Sequence, residues 1–217
     1  MNIHILVPFY RKYLYKTLLH YYNNLGIIFH PICDHVDIEP FKDNILEWVK
    51  PFLCPPLKNG EPCYTKFNYF LENNDIIDND YYGFAGDDDM FEEGLVDELQ
   101  KSEAEIIFIS SYRGDTVPND GGAPHPAEIL LQRNIHDVCR GRIGLGMFFV
   151  KGYILRPLRF VTDNGWGDGI FAENLCDKGT LEFKPDVFLF FNYFQPGRHT
   201  DKNKLLKPTW KLPQIIS

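Results

Sequence analysis

The chain opens on an unbroken apolar run, IHILVPFY at residues 3–10, in which β-branched residues lead and Pro8 closes. A run of that length and composition reads as a buried strand. The period then changes. In RKYLYKTLLHYYNNLG, Leu14, Leu18, Leu19 and Tyr22 recur at helical intervals, and Gly26 stands where a helix stops in a left-handed residue. IIFHPICD at 27–34 returns to the strand pattern and ends on Asp34. Strand, helix and strand in such close succession form a βαβ unit, which builds parallel sheet.

The alternation continues. Residues 37–60 are irregular and rich in Pro and Lys. PCYTKFNYFLENN (62–74) predicts a helix through Phe67, Phe70 and Leu71, and DYYGFAG (80–86) predicts a strand. FEEGLVDELQKS (91–102) predicts an amphipathic helix and AEIIFISSY (104–112) another strand. The Gly/Pro/Asp stretch RGDTVPNDGGAPHP (113–126) is longer than ordinary connectors, which makes it a candidate lid or acceptor loop. RIGLGMFFVKGYIL (142–155) predicts strand then helix, and RFVTDNGWGDGIFAENLCDKG (159–179) a glycine-rich loop entering a helix. LEFKPDVFLFFNYF (181–194) is one long strand or a strand pair, and the remainder has no clear period. Without internal repeats or low-complexity linkers, the expectation is a single α/β domain. Its central sheet is mostly parallel and flanked by helices.

Composition narrows the function. The 217 residues are 44% hydrophobic, enough for one substantial domain or two small ones with a real core, and 15% aromatic, so packing leans on rings. Net charge is −8 with the basic residues scattered. Phosphate neutralisation dominates nucleic-acid affinity, so nucleic acid is not expected as a partner. An acidic protein that handles phosphates needs a divalent metal to mediate. Five cysteines, an odd count without a CxxC pair, suit free thiols in a reducing compartment better than disulfides or zinc. No charged-then-apolar leader precedes the first strand, and VFLFFNYF is too short to span a bilayer, so a cytoplasmic location without a membrane span is expected.

One short stretch carries most of the candidate chemistry. YGFAGDDDMF (82–91) takes an apolar strand to its end and places Asp87, Asp88 and Asp89 there. Adjacent carboxylates repel, more strongly as water is removed. Either the turn is solvated and caps the following helix, or a cation belongs beside it. In open α/β sheets ligands bind at the carboxyl ends of the strands. Asp34 and Asp87–Asp89 both fall at such ends, joined by Pro8, Phe9, Tyr10 and Arg11. A carboxylate group on that edge is what Mg²⁺ or Mn²⁺ requires.

In this order the motifs resemble those of GT-A glycosyltransferases of the family-2 kind. YYGFAGDDDMF, about 90 residues into a chain that opens HILVPFYR, is similar to their DxD strand. CYTKFNYFL resembles the basic-plus-Asn helix that precedes it. GLGMFFVKGYIL resembles the strand and helix after the acceptor loop, and GWGDGIFAENL the Trp-Gly segment that carries the catalytic carboxylate. The resemblance spans about residues 1–200 and extends to the glycosyltransferase modules of large DNA viruses such as chlorella viruses, whose setting would be host cytoplasm. It divides the GT-A-like, Rossmann-like domain into a nucleotide-binding half, about 1–112, and an acceptor and catalytic half, about 113–200, with 201–217 as a tail.

What the resemblance implies is a metal-dependent enzyme moving a sugar from a nucleotide sugar, with UDP as the nucleotide, to a hydroxyl of a glycan or glycoprotein. Pro8, Phe9, Tyr10, Arg11, Asp34 and Lys66 would hold the nucleotide with Asp87 and Asp88. Asp87 would bind ribose or metal-bound water and Asp89 the Mn²⁺ or Mg²⁺. His199 in YFQPGRHT is the candidate third metal ligand, with His125 a second histidine on the acceptor side. Arg198 is placed to neutralise the departing diphosphate. Asp168 is the first choice of general base, ahead of Glu173 and Asp163. Inverting relatives tend to carry adjacent acids after the Trp-Gly, whereas here Gly169 follows Asp168. A retaining mechanism, in which Asp168 contacts donor hydroxyls, therefore stays open. Arg11 reads equally as a plain surface charge, and Trp166 either stacks on a sugar or packs against the sheet. Two other functions stand beside this one: a non-catalytic nucleotide- or sugar-binding module of a larger polypeptide with further domains, and a sugar-phosphate nucleotidyltransferase. The latter would usually carry a glycine-rich basic loop after the first strand, which VPFYRKYL lacks.

Overall fold

The computed structural model describes residues 1–34, 38–42, 46–58, 61–113, 128–163 and 165–191. In chain order the elements are β1 (Ile3–Pro8), α1 (Tyr15–Leu25), β2 (Ile28–Cys33), α2 (Glu39–Lys42), β3 (Phe52–Leu53), α3 (Tyr64–Asn73), β4 (Tyr81–Phe84) and β5 (Met90–Phe91). They continue as α4 (Leu95–Gln100), β6 (Ile106–Arg113), β7 (Glu128–Leu130), β8 (Phe148–Lys151), α5 (Gly152–Leu155), α6 (Gly167–Leu175) and β9 (Leu181–Phe191). Short 3-10 turns stand at Lys12–Leu14 and Ile135–Asp137.

Among the described residues the strands form one sheet in the order β3-β2-β1-β4-β8-β6-β9-β5, with β7 paired to β6. β1 is parallel to β2 and β4, β2 to β3, and β6 to β9. β8 runs antiparallel between β4 and β6, which leaves those two pointing the same way. Of the described strands only β5, β7 and β8 oppose the common direction. The sheet is thus mostly parallel and flanked by helices, as the alternating pattern predicts.

Local sequence accounts for the elements. Every residue of β1 and β4 is buried, as parallel strands covered on both faces require. α1 buries Thr17, Leu18, Tyr21, Tyr22 and Leu25, spacings that put all five on one face. It ends at Gly26, whose φ of 68° is the left-handed conformation that a side chain disfavours. The expected helix over 91–102 is shorter than its pattern. Met90 and Phe91 pair with Phe190 and Leu189 of β9, so the ladder claims them and the helix starts at Leu95. On its other side Phe91 meets Tyr21, whose hydroxyl donates to Phe91 O at 2.8 Å and accepts from Phe91 N. β7 lies beyond the region that gave a clear period. β9 is one long strand with a bulge: Ile109 pairs with Lys184 but Ser110 with Phe188. The Ser110 hydroxyl fastens that bulge by donating to Pro185 O at 2.9 Å.

At the amino ends of the parallel strands the core holds a polar chain. His4 Nδ1 and His30 Nε2 are 2.8 Å apart, His4 Nε2 is 3.1 Å from Asp80 Oδ2, and Asp80 accepts from Asn2 N at 2.7 Å. Burial, with His4 and Lys50 nearby, pushes His30 down to about 3. Burial also lowers His4, although Asp80 pulls it upward. Both imidazoles are therefore neutral in the folded protein and take up protons readily only when it unfolds. Their contribution to stability is complete above the ordinary histidine value of 6.5 and is lost progressively as pH falls toward about 3. Asp80 is held low by Asn2 and His4 against the cost of its own burial, and it acts in the same sense at lower pH. Urea denaturation should accordingly give a midpoint that falls between pH 7 and 5, and His30→Gln should flatten the fall. An equally steep fall in the variant would show that this chain is not its source.

Candidate active site

Because β1, β2, β3 and β4 are parallel, their carboxyl ends deliver Tyr10 and Arg11, Asp34, Cys54 and Asp87–Asp89 to one edge. The aspartate turn on that edge is dry: Asp87, Asp88 and Asp89 are 1%, 4% and 4% exposed. Burial removes the solvated-turn reading, and the helix that follows is capped at Gly94 without a side-chain bond.

Each aspartate has its own task. Asp87 Oδ2 accepts from Tyr10 N and Arg11 N, both at 2.8 Å, and its Oδ1 takes the Arg11 guanidinium. Arg11 also reaches Asp88 Oδ1 at 3.4 Å. Burial works against the Arg11 charge, but Asp87 and Asp88 outweigh it and raise its pKa. Asp89 folds back to accept from Gly86 N at 2.8 Å. Gly86 is what permits the turn: a Cβ there would stand 2.9 Å from Asp89 Oδ2 and 3.0 Å from Asp88 Oδ1.

Beside this turn lies a cation that meets no anion among the described residues. Lys66 is 2% exposed, carried on the buried side of α3 with Phe67 and Phe70, and its Nζ has no hydrogen-bond partner. It sits 4.0 Å from the centre of the Tyr10 ring, a cation–π contact. A buried ammonium with no oxygen to donate to is costly in a folded protein. Lys66 also lines a pocket of about 210 Å³ between α3 and the segment after β3, with Cys54, Pro55, Thr65 and Tyr69 among its walls. Tyr10 is raised by burial and then by Cys63, Cys54, Asp87 and Asp34, which places all of these around one ring.

Asp168 comes to the same place from the second half of the chain. It stands in the first turn of α6, mostly buried, and accepts from Gly169 N at 2.8 Å. Burial raises its pKa, opposed by hydrogen bonds from Gly169, Tyr64 and the backbone of Leu145. Cys63 links the halves: burial pushes its thiol to about 11, with Asp168 and Asp89 adding to the rise and Lys66 opposing it. Asn68 holds the approach to α6, donating to Phe160 O at 2.8 Å and accepting from Phe160 N at 2.7 Å. This is a concrete task for the asparagine of the basic-plus-Asn helix.

The structure thus brings together Tyr10, Arg11, Asp34, Lys66, Asp87, Asp88, Asp89 and Asp168. Pro8 and Phe9 sit at the same strand end with their side chains buried; Phe9 meets Phe41 edge-on at 5.0 Å. Trp166, half exposed, precedes Asp168 and lies over Gly141. Glu173 is on another face of α6, paired with Arg140 Nε at 3.0 Å. His125, Arg198 and His199 lie outside the described residues. Cys63 and Tyr64 were not foreseen; they begin a helix whose period marks Phe67, Phe70 and Leu71, and nothing in that spacing distinguishes them.

No family model matches the sequence, and no curated protein matches it. Solved structures do. S. aureus TarS 1-349 is similar with a TM-score of 0.60 at 12% identity, over 87% of this chain and 60% of that one. The chain therefore spans less than two thirds of that structure. A 4-diphosphocytidyl-2C-methyl-D-erythritol synthase is similar with a TM-score of 0.51 at 11% identity, over 95% of this chain and 94% of that one. At such identities the likeness is one of fold, the α/β fold shared by GT-A domains and nucleotidyltransferases.

The Asp87 contacts predict a stability effect separate from any ligand. Asp87→Ala leaves two amides without their acceptor and the Arg11 guanidinium with Asp88 in place of two carboxylates, and should cost about 3–5 kcal/mol in urea denaturation. Asp87→Asn keeps one acceptor oxygen and should restore part of the loss. A change under about 0.5 kcal/mol for the alanine variant would mean the turn does not depend on this carboxylate.

Proposed function

We propose that the protein is a metal-dependent glycosyltransferase that moves a sugar from a nucleotide sugar, with UDP as the nucleotide, to a hydroxyl of a glycan. The observation that carries this reading is the unpartnered Lys66 ammonium on the same sheet edge as a dry carboxylate turn. A diphosphate answers both: its oxygens accept from Lys66, and a divalent cation it shares offsets the aspartates.

The donor set fits such a cation. Three carboxylates lie nearly buried side by side at this strand end, oxygen donors of the kind a hard ion takes. Among the described residues no three His, Cys, Asp or Glu side chains group into a complete metal cage. Mg²⁺ and Mn²⁺ commonly take one or two carboxylates and complete their shell with substrate phosphates and water. On the resemblance of the turn to a DxD motif we assign Asp89 as the principal ligand; His199 is the proposed further ligand. The ion supplies charge stabilisation for the departing diphosphate.

The protein's own groups supply the rest. Lys66 neutralises phosphate oxygens, with Arg198 proposed for the same charge. Tyr10 is an exposed residue whose ring lies against Lys66, and it offers a flat face to the base. Asp34 lies within reach of Tyr10 and Cys54, where ribose or base hydroxyls and amides would be met. Asp168, raised by burial toward the working range of a general base, takes the proton from the acceptor hydroxyl. Trp166 presents an exposed indole beside it for an acceptor ring.

Nucleotidyl transfer is the second reading, supported by the likeness over nearly the whole of the synthase chain. The loop after β1 counts against it. Tyr10 N and Arg11 N, which open that loop, are bonded to Asp87, so they cannot cradle a triphosphate while that turn stands.

Calorimetric titration of UDP, GDP and ADP, each with Mn²⁺ and with EDTA, tests the proposal. UDP should bind, and only with metal. Asp89→Ala should abolish the metal-dependent binding of UDP with the fold intact, and Lys66→Met should weaken UDP at least tenfold, the usual worth of a hydrogen bond to a charged group. If no nucleotide binds, or if the Asp89 and Lys66 variants bind as the parent does, the assignment fails.

A further inference from the structure

As the side chains stand, an anion has no way to Lys66. Its Nζ is shut off from solvent, and the ring of Tyr10 lies against it, 4.0 Å from ring centre to nitrogen. A phosphate oxygen bonds an ammonium at about 2.8 Å, so something must uncover the nitrogen first. The two residues are held in different ways. Lys66 is on the buried side of α3, between Tyr64 and Phe67, and is fixed by the core around it. Tyr10 is an exposed residue anchored through its backbone, where its N–H donates to Asp87 Oδ2 at 2.8 Å beside the same bond from Arg11 N. Among the described residues its hydroxyl makes no hydrogen bond and its ring stacks on no other ring, so the contact with Lys66 is the specific tie on that side chain.

We propose that Tyr10 is a gate over Lys66: its ring covers the ammonium in the ligand-free protein and swings aside on its anchored backbone when a diphosphate takes the cation. This rests on the reading of the edge as a nucleotide-sugar site for the identity of the anion. The closed position eases the burial of a cation with no oxygen to donate to, because the ring face presents negative charge to it. A phosphate offers full charge and hydrogen bonds, the stronger of the two interactions, so the exchange runs toward the open position when the anion arrives. Little has to move. Asp87 keeps the Tyr10 backbone in place, and rotation about the side-chain bonds of an exposed residue is fast and cheap. The freed ring is then the flat face that meets the base. The two ends of a nucleoside diphosphate therefore assist one another: the phosphates release the ring, and the base holds it away from Lys66.

NMR of protein labelled with ¹³C-lysine reads the ring directly, because the terminal methylene protons of a lysine held against an aromatic face resonate upfield of ordinary ones. Lys66→Met assigns the signal, and thermal melts check that each variant folds. The ligand-free parent should show an upfield Lys66 signal that Tyr10→Phe retains and Tyr10→Ala loses. Pyrophosphate with Mg²⁺, added to the parent, should carry the Lys66 signal to its Tyr10→Ala position while the exposed Lys101 stays where it was. A Lys66 signal that responds to pyrophosphate yet keeps its upfield displacement overturns the proposal, since the anion would then bind with the ring in place. So does a signal that pyrophosphate leaves unmoved in the parent, or one with no upfield displacement before any ligand is added. The titration uses no nucleotide. A protein that opens to pyrophosphate but binds no UDP keeps the gate and loses the proposed function; one that binds UDP with the ring still on Lys66 does the reverse.

Discussion

The capture of two backbone amides and a guanidinium by one carboxylate organises the working edge of this protein. Asp87 reaches from the end of β4 to the end of β1 and takes Tyr10 N, Arg11 N and the Arg11 side chain together. The first amides of a chain leaving a parallel strand have no partner in the sheet, and a buried amide cannot be left unpaired cheaply. Once Asp87 answers them, Tyr10 is held over Lys66, and Asp88 is drawn to Arg11. Gly86 lets the chain fold back so that Asp89 completes the turn. Three like charges in sequence thus make three different sets of contacts.

The sheet explains how the remote residues arrive. Parallel β1 to β4 put their carboxyl ends on one edge, and the reversed β8 starts from that same edge. The turn leading into β8 carries Leu145, whose backbone meets Asp168. The cations and the aspartate turn therefore come from the first half of the chain, and Asp168 and Trp166 from the second. Cys63 and Tyr64 stand where the halves meet, within the field of Asp168 from one half and of Lys66 and Asp89 from the other.

Much of this was legible in the residues because it is periodic. The buried parallel strands read as apolar runs, α1 and α3 as helical stripes, and the end of β4 as the place where apolar residues give way to aspartate. What escaped depends on distant partners. Met90 and Phe91 look like the start of a helix until β9 pairs with them, and no local signal contains that strand. The dryness of the aspartate turn was equally invisible, since burial is set by what packs over a segment. Lys66 was legible as a basic residue on the right helix, but not as a buried one. Tyr64 matters through its meeting with a residue about a hundred positions away, which spacing along one helix cannot reveal.

The contact between Tyr21 and Phe91 has a consequence for how the molecule meets its own kind. β3 and β5, the outermost strands among the described residues, are two residues long, and an exposed strand margin is where another chain can add itself by backbone pairing. On β5 the outward-facing N–H and C=O of Phe91 are both taken by the Tyr21 phenol, supplied by a helix of the same chain. A side chain thereby stands in for the neighbour that would otherwise dock. At Phe91 that margin offers no backbone group to an incoming strand, and it does so without a proline, a lysine or a bulge within β5.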